Sequence, residues 1–394
     1  MNLLFAHDHI FYKYGDVYYS NGSFPQKTLK RYTRVFDKVN FVSRQIIVDE
    51  KPNEISLAST ENLEFVRVPN FKTIKDFYKI KEAKEIIKRE VENADCIIAR
   101  TSSIGSLAVR YAKKYNKPYL IEVVGCTKDA LWNHGSLAGK LLSFPKYFKS
   151  KKMIKEAPYV IYVTSEFLQK RYPTLGLYTN CSNVNITKGS ERTLENRLIK
   201  INNNNSKIVF GTIGAIDIEY KGHDLMIKAL SLIKDNVTKE IEYKIVGGGN
   251  PIHLINLAKK YDVLDLVTFE GTLENDEINN FLDSVDIYIQ PSRTEGLPRA
   301  VIEAMSRACP IIGSNVGGIP ELIDKESIFK KNNYKELANL ILDVSSNKIW
   351  LENKAKRNFN ESKKYENTII EERRTQFLNE FKKEIYLNKR FVNI

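Results

Sequence analysis

The stretch from Gln290 to Ile323, QPSRTEGLPRAVIEAMSRACPIIGSNVGGIPELI, constrains the fold more than any other part of the chain. An apolar strand over Asp286 to Gln290 leads through a polar turn into a helix opened by Pro298, since the fixed φ of proline suits the first helical position. A second apolar strand, Pro310 to Gly313, then ends in a glycine-rich turn. Strand, turn, helix and strand predict a crossover unit of a parallel sheet, with a ligand site at the carboxyl ends of its strands.

Two acids in this unit, Glu295 and Glu303, lie eight positions apart. The backbone N–H groups of Gly296 and Leu297 are predicted near the helix N-terminus, where they are free to hold an anion such as phosphate. Because carboxylates would repel that phosphate, we expect Glu295 to accept hydrogen bonds from sugar hydroxyls and Glu303 from a ribose. The alternative is that Glu303 is a solvated helix residue and Glu295 an N-terminal charge that the helix dipole favours, worth ~0.3–1 kcal/mol.

With these residues the stretch resembles the retaining glycosyltransferases of family 4, whose GT-B fold carries an E-x7-E motif. EGLPRAVIE matches that motif, and the resemblance extends over Ile208 to Ile323. Four further pieces occur in the expected order: FGTIGA (210–215), YKGHDLMIKAL (220–230), YKIVGGGN (243–250) and VTFEGTL (267–273). The resemblance implies an α/β protein with two Rossmann-like doubly wound parallel-sheet domains that face each other across a cleft.

The family resemblance also implies roles for individual residues. Lys221 matches the family's diphosphate-binding lysine and is predicted to be catalytic together with Glu295. A cation at about 4 Å from a charge contributes ~4 kcal/mol at an effective dielectric near 20. The alternative for Lys221 is an exposed lysine beside a turn glycine. Three glycines in the turns of the matching pieces are predicted to contact the substrate: Gly214, Gly247 and Gly271.

The chain departs from the family pattern at two places. Many family members carry an arginine where Ala215 follows Gly214, and Arg293, with Arg299 behind it, is our candidate for the missing cation. A histidine commonly follows the strand that corresponds to Pro118 to Val124, and here Val124-Gly125 takes that position. His134, further along the chain, is the candidate for a related catalytic role; a loop histidine with a structural hydrogen bond is the alternative.

Alternating strand and helix signals predict three parts: an acceptor-side domain over 1–195, a nucleotide-sugar domain over 206–365, and a helical segment over 366–394 that packs back on the first domain. A chain of 394 residues with 42% hydrophobic residues suits two globular domains. At the N-terminus we expect a strand over Asn2 to Ala6 and then a loop up to Pro25.

The cysteine and hydropathy patterns predict a cytoplasmic protein. The four cysteines show no C-x-x-C spacing, so neither a disulfide framework nor a zinc site is indicated. No signal peptide is recognisable, and no apolar run approaches the ~20 residues that cross a bilayer. The absence of an Asp-x-Asp sequence in a plausible loop predicts no metal, and we expect no cofactor other than the donor substrate.

The formal net charge is +13, and the segment from Gly139 to Lys155 holds six lysines and no acid among large apolar residues. This mixture favours an anionic membrane face, to which each basic residue contributes ~1 kcal/mol. A solvated basic surface is the alternative, and nucleic acid is not expected because no recognition motif is present. The lysines predicted to face the membrane are Lys146, Lys149, Lys151 and Lys152.

The function predicted from these observations is transfer of a hexosyl or N-acetylhexosaminyl group from a nucleotide sugar, expected to be UDP-linked, in bacterial surface polysaccharide synthesis. The acceptor is expected to be lipid-linked or a saccharide, at the inner face of the plasma membrane. A nucleotide-sugar epimerase on the same fold and a non-catalytic basic binding protein are the alternatives. The lysine-rich segment disfavours the epimerase, and the intact Lys221, Glu295 and Glu303 disfavour the binding protein.

Overall fold

The computed structural model describes residues 1–22, 24–52, 55–133, 137–203, 206–237 and 239–392. Two β-sheets, the first mainly and the second entirely parallel, make up the described part of the chain together with helices on both faces of each sheet. This arrangement is the predicted GT-B architecture of two Rossmann-like domains.

The first sheet contains nine strands within the described residues. Their bounds are β1 (Asn2–Tyr14), β2 (Val17–Ser20), β3 (Lys38–Ile47), β4 (Ser56–Leu57), β5 (Leu63–Arg67), β6 (Cys96–Arg100), β7 (Tyr119–Val123), β8 (Tyr159–Tyr162) and β9 (Leu177–Asn180). Parallel pairing gives the order β5-β3-β1-β6-β7-β8-β9, and β2 and β4 add an antiparallel extension. The accompanying helices are α1 (Gln26–Thr33), α2 (Ile80–Asn93), α3 (Ser103–Lys114), α4 (Thr127–Trp132), α5 (Leu137–Lys155) and α6 (Phe167–Arg171).

The N-terminal strand is longer than predicted, and the expected loop up to Pro25 is wrong. Strand β1 continues through Tyr14, turns at Gly15-Asp16 and returns as β2, with Tyr14 opposite Val17. The two-residue turn and the aromatic residues around it are hairpin signals. Phe11 is buried and packs edge-on against Phe41, which holds the extension of β1 on the sheet.

The second sheet is entirely parallel, in the order β12-β11-β10-β13-β14-β15. Its strands are β10 (Lys207–Ile213), β11 (Glu240–Val246), β12 (Val267–Gly271), β13 (Ile287–Gln290), β14 (Ile311–Ser314) and β15 (Ile328–Phe329). Its helices are α7 (Glu191–Asn202), α8 (His223–Ile233), α9 (Ile252–Lys260), α10 (Asn275–Ser284), α11 (Arg299–Ser306), α12 (Ile319–Leu322), α13 (Tyr334–Val344) and α14 (Lys348–Ser362), and the long helix α15 (Asn367–Val392) ends the described chain.

Each sheet has a point at which the direction of strand winding reverses, between β1 and β6 in the first and between β10 and β13 in the second. Connections leave the two sides of such a point in opposite directions, so a crevice opens at the carboxyl ends of the strands. Alternate residues of β1 belong to different cores: Leu4 and Ala6 pack towards α2, α3 and α5, whereas Leu3 and Phe5 pack towards α1 and α15. Burial on both faces explains the continuous apolar runs of the central strands.

Helix α7 (Glu191–Asn202) lies in the connection between the two sheets. Helix α7 begins at Glu191, before the predicted domain end at 195, and packs through Leu194 and Leu198 against Phe359 of α14. The buried guanidinium of Arg197 donates to the carbonyls of Leu282 and Val285. These contacts attach α7 to the second sheet.

Helix α15 returns to the first sheet, where Phe377 and Phe381 contact Tyr159. Arg374 of this helix is buried and lies 3.9 Å from the carboxylate of Glu122 on β7. That carboxylate also accepts hydrogen bonds from Arg100 at 2.7 Å and from the Tyr32 hydroxyl at 2.6 Å. The opposite charges and hydrogen bonds compensate the cost of burying Glu122. Among the described residues, no helix combines the length and apolar character needed to cross a membrane.

Candidate functional site

The carboxyl edges of the two sheets meet at the turn between β13 and α11. A Cβ atom on Gly296 would lie 2.5 Å from the carbonyl oxygen of Val124, so only glycine permits this approach. Nearby, the Glu321 carboxylate accepts hydrogen bonds from the backbone N–H groups of Ser165 and Phe167 at the start of α6. The predicted Gly296-Leu297 turn therefore lies at the junction of the two halves.

Lys221 and Glu295, 74 residues apart in the chain, form an ion pair at the winding reversal of the second sheet. The Lys221 ammonium donates to Oε1 of Glu295 at 2.9 Å, and the Ser292 hydroxyl donates to the same oxygen at 2.8 Å. The amide of Gln290 adds a longer contact at 3.3 Å. Two of the three side chains predicted to be catalytic are thus brought together, with one carboxylate oxygen held by three donors.

The local sequence around Lys221 explains how it reaches this position. Gly222 has a φ of 75°, a left-handed conformation that favours glycine, and a Cβ there would lie 2.0 Å from the carbonyl oxygen of Pro291. The turn before α8 can therefore press against the end of β13. Lys221 then crosses the end of β10, where its side-chain carbons would lie 3.2 Å from a Cβ placed on Gly214.

The three predicted substrate-binding glycines lie at the ends of neighbouring strands. Gly214 follows β10, Gly247 follows β11 and Gly271 ends β12. The N–H of Gly214 donates to the Val246 carbonyl, and the N–H of Gly247 donates to the Gly271 carbonyl. These hydrogen bonds align three side-chain-free positions along the edge next to Lys221, leaving room for a ligand to contact backbone.

Glu303 lies in the second turn of α11, as predicted. It is partly buried, and in the described part of the chain its carboxylate accepts no hydrogen bond. Burial raises the pKa of Glu303, and the nearby Arg299 opposes that rise. The backbone N–H groups of Gly296 and Leu297 likewise donate to no acceptor among the described residues. This turn therefore offers an acceptor and two donors that a ligand can use.

Arg293 is extensively engaged by the protein. Its guanidinium forms a two-pronged ion pair with Asp224, 2.8 Å for each contact, and also donates to the Asn332 side chain and the Glu219 carbonyl. Its assignment as the second phosphate-binding cation stays a prediction. It requires Arg293 to exchange these partners for the donor.

The structure identifies a histidine that the sequence motifs did not single out. His223, immediately after Gly222, is buried, and its Nε2 lies 3.3 Å from the Ala215 carbonyl, at the position where many family members carry arginine. Burial lowers the pKa of His223 to about 4, so the ring is neutral near pH 7. The predicted catalytic residue His134 lies outside the described residues.

The four lysines predicted to face a membrane lie on α5, which contains Pro145. Lys146, Lys149 and Lys152 are exposed, and the ammonium of Lys151 lies 5.8 Å from the centre of the Tyr147 ring. Large apolar residues are exposed on the same helix: Leu137, Leu141, Leu142, Phe144 and Phe148. Within the described ranges, no group of His, Cys, Asp or Glu side chains could hold a metal ion.

Comparisons with known proteins agree with this fold. Residues 195–365 match the family described as Glycosyl transferases group 1. Protein CapJ of Staphylococcus aureus is 37% identical over 346 residues, which cover 86% of this chain and 85% of CapJ. The O-antigen biosynthesis glycosyltransferase WclY of Escherichia coli is 33% identical over 131 residues, 32% of this chain and 36% of WclY.

Two solved structures share the whole architecture. Sucrose-phosphate synthase from Thermosynechococcus elongatus has a TM-score of 0.68 at 15% identity and covers 98% of this chain and 99% of its own. Anabaena HepE in complex with UDP has a TM-score of 0.66 at 15% identity, with 96% of this chain and 100% of HepE covered. At this identity the likeness concerns the fold. The chain belongs to the group 1 glycosyl transferases, and it is a glycosyltransferase of GT-B fold.

Proposed function

We propose that the protein is a retaining glycosyltransferase of family 4 that transfers a hexosyl or N-acetylhexosaminyl group from a UDP-linked sugar. The acceptor is a lipid-linked saccharide, and the product is a precursor of a bacterial surface polysaccharide. The observation that carries the proposal is the Lys221–Glu295 pair, held by Ser292 at the winding reversal of the second sheet. Such a crevice is where doubly wound sheets bind nucleotides.

The chemistry of transfer explains why a cation and an acid lie side by side. Breaking the bond between the anomeric carbon and the diphosphate leaves negative charge on the diphosphate, which Lys221 stabilises. When the diphosphate takes Lys221, Oε1 of Glu295 loses one of its donors. Glu295 then accepts hydrogen bonds from the sugar hydroxyls, so donor binding exchanges an internal ion pair for two contacts with the substrate.

The remaining predicted residues complete the donor site in this proposal. Glu303 accepts hydrogen bonds from the ribose hydroxyls, since its carboxylate has no partner among the described residues. The N–H groups of Gly296 and Leu297 contact the diphosphate. Gly214, Gly247 and Gly271 leave space for the nucleotide beside the backbone.

Retention of the anomeric configuration follows from attack on the front face of the donor. The acceptor oxygen forms its bond to the anomeric carbon on the face that the phosphate leaves, and the acceptor's proton passes to the departing phosphate oxygen. No protein nucleophile is needed on this route. The protein supplies positioning and electrostatic stabilisation in the cleft between the two sheets.

Names of related proteins support the donor and the pathway. HepE has been solved with UDP and with UDP-glucose. Proteins that match part of this chain are named for O-antigen biosynthesis and for amylovoran biosynthesis. The lysines and exposed apolar residues of α5 support a cytoplasmic protein bound peripherally to the inner membrane face.

A panel of nucleotide sugars tests the proposal. Each is incubated with the purified protein, and melting temperature, released nucleotide and donor stereochemistry are measured. We expect UDP-sugars to raise the melting temperature, because a ligand that binds only the folded state stabilises it, and one of them to be slowly hydrolysed with retention. Epimerised donor without transfer would indicate the epimerase, and binding without turnover would indicate a binding protein.

A further inference from the structure

The winding reversal of the first sheet also opens a crevice, and the residues that line it differ from those of the donor site. A groove of ≈ 760 Å³ begins at His7 and Asp8, just after the part of β1 that pairs with β6, and runs between α3 and α5. From Ser103 to Lys113 the wall formed by α3 rises about 15 Å, at 1.5 Å per residue. The groove is therefore long enough for an extended chain.

The inner end of the groove is polar, and Asp8 holds its neighbouring groups in place. The Asp8 carboxylate accepts hydrogen bonds from the backbone N–H groups of Ser103 and Ile104 and forms an ion pair with Lys72 at 2.8 Å. Beside it lies His7, whose Nδ1 is buried and has no hydrogen-bond partner among the described residues. This end lies at the sheet edge that meets the Glu295-Gly296 turn through Val124.

Beyond its polar inner end, the groove has an apolar lining. A site for a purely polar ligand would not need such a lining. Its apolar lining consists of Phe71, Ile80, Leu107, Val109, Leu131 and Met153. These side chains come from both helical walls, from α4, from the start of α2 and from the segment before it, so the apolar surface continues along the groove. Burial of a hydrocarbon chain is the interaction that such a surface favours.

The walls of the groove carry a large excess of positive charge. Its cationic residues are Lys72, Arg110, Lys113, Lys146, Lys149 and Lys152, against the two acids Asp8 and Glu156. Both acids are already paired, Asp8 with Lys72 and Glu156 with Lys113. In the described part of the chain the other four cations form no ion pair with an acid, so the groove is suited to a ligand with several negative charges.

We infer that this groove binds the lipid part of the acceptor, a long-chain lipid that carries its saccharide on a diphosphate. The hydrocarbon lies on the apolar lining, and the diphosphate contacts Lys146 and Lys149. Helix α5 precedes the parallel strand β8, so it runs antiparallel to the strands, and these two lysines lie nearer the carboxyl edge than Lys152. The saccharide then extends past the inner end towards Glu295. The inference rests on the proposed transferase function and names the acceptor site within it.

The outer surface of α5 gives the lipid a route into the groove. Leu141 and Phe148 are 78% and 63% exposed, on a different side of the helix from Lys146 and Lys149, which line the groove. Apolar side chains at this level of exposure favour contact with the acyl region of a bilayer. The lipid can then pass from the membrane into the groove without its chain crossing water.

The inference is tested by binding in solution, without vesicles or detergent. Farnesyl diphosphate is titrated calorimetrically into the full-length protein, with inorganic diphosphate as the head group alone and farnesol as the chain alone. We expect farnesyl diphosphate to bind at least about tenfold more tightly than either fragment, because both parts of the groove are then occupied. Equal affinity for farnesyl diphosphate and inorganic diphosphate would overturn the inference.

Two pairs of variants locate the binding. Lys146→Glu/Lys149→Glu reverses two groove charges, and Lys114→Glu/Lys155→Glu makes the same charge change at exposed positions of α3 and α5 outside the groove. Ala130→Trp fills the groove from an exposed position on α4, and Leu141→Trp is its control outside the groove. The groove variants should weaken farnesyl diphosphate binding by about tenfold or more, and the controls by less than about threefold.

Equal loss in groove and control variants would overturn the inference, because general attraction to a basic surface would then explain the binding. Melting temperatures confirm that each variant folds. Stabilisation of the wild-type protein by UDP separates this inference from the proposed function. If UDP stabilises the protein and farnesyl diphosphate does not bind, the groove assignment fails and the transferase remains. If no nucleotide sugar binds or reacts, the proposed transferase function is wrong, and the inference that rests on it is wrong as well.

Discussion

The two winding reversals of this protein have the same topology and different surfaces. At the second, between β10 and β13, the charges are balanced: Lys221 is paired with Glu295, and Arg293 with Asp224. At the first, between β1 and β6, apolar side chains form the lining, and four cations form no ion pair with an acid in the described residues. The sheet determines where a crevice opens, and the side chains are the basis of the ligand that we propose for each: a compact polar nucleotide at the second, a long anionic lipid at the first.

The largest expected effect is at the crevice between β10 and β13, where the charges are balanced. Lys221→Ala should lower kcat by about 10²–10³, because one cation at the departing diphosphate stabilises the transition state by ~4 kcal/mol at most in this setting. Lys234→Ala, which breaks the surface pair with Asp262, is the matched control and should leave kcat unchanged. A kcat for Lys221→Ala within about threefold of the wild type would contradict the proposed role.

The second-largest expected effect is on the binding of the lysine-rich helix α5 to anionic membranes. Replacing Lys146, Lys149, Lys151 and Lys152 together by glutamine should weaken binding to anionic vesicles by about 10² at low salt, since each lysine near the surface contributes ~1 kcal/mol before screening. Sedimentation with vesicles measures this binding, and neutral vesicles are the control. If the wild-type protein ignores anionic vesicles at low salt, the membrane proposal is wrong.

Replacing Glu303 should have a smaller effect, which appears as weaker binding of the donor. Glu303→Ala is expected to raise the KM for the donor by about tenfold, the loss of one or two hydrogen bonds to a charged acceptor. A donor KM that is unchanged by Glu303→Ala would remove the residue from the proposed site.

The pH dependence of donor binding sharpens the test of Glu303. Burial raises the pKa of this acid, so it takes up its proton at a higher pH than an exposed glutamate does. Only the ionised form accepts two ribose hydrogen bonds, and donor affinity should therefore fall as pH decreases through that raised pKa. Glu303→Gln should lose this part of the pH profile. A variant profile identical to that of the wild type would assign the titration to another group.

The smallest expected effect separates structure from catalysis at Arg293. Arg293→Ala and Asp224→Asn break the same ion pair, so both should lower the melting temperature by several degrees, for ~1–2 kcal/mol lost. Because Arg293 is also the candidate second cation, Arg293→Ala should lower kcat as well. The decrease should be about tenfold larger than that caused by Asp224→Asn. Equal kcat in the two variants would leave Arg293 with a structural role alone.

The proposed donor crevice could be anticipated because its residues follow strands at short intervals. EGLPRAVIE, YKGH and the glycines after β10, β11 and β12 each depend on a local strand and turn, and the parallel sheet aligns them. The pairing of Lys221 with Glu295 could not be read from spacing, since 74 residues separate them. His223 was missed for a related reason: its burial against Ala215 results from the turn at Gly222.

The N-terminal half was less predictable. The residues around Gly15-Asp16 form a hairpin where the sequence pattern predicts a loop up to Pro25. The lysine-rich segment was recognised from composition. That three of its lysines line a groove with Phe71, Leu107 and Met153 depends on how α5 packs beside α3.

The amino-acid order by itself determined the alternation of strands and helices, the parallel winding and the acidic pair of the donor turn, because these depend on periodicity and on neighbours within a few residues. Only the tertiary structure decided that Lys221 meets Glu295, that Gly296 contacts Val124 and that the lysines of α5 line a groove. Those contacts join residues far apart in the chain. Their distances depend on how helices and sheets pack, which no local pattern encodes.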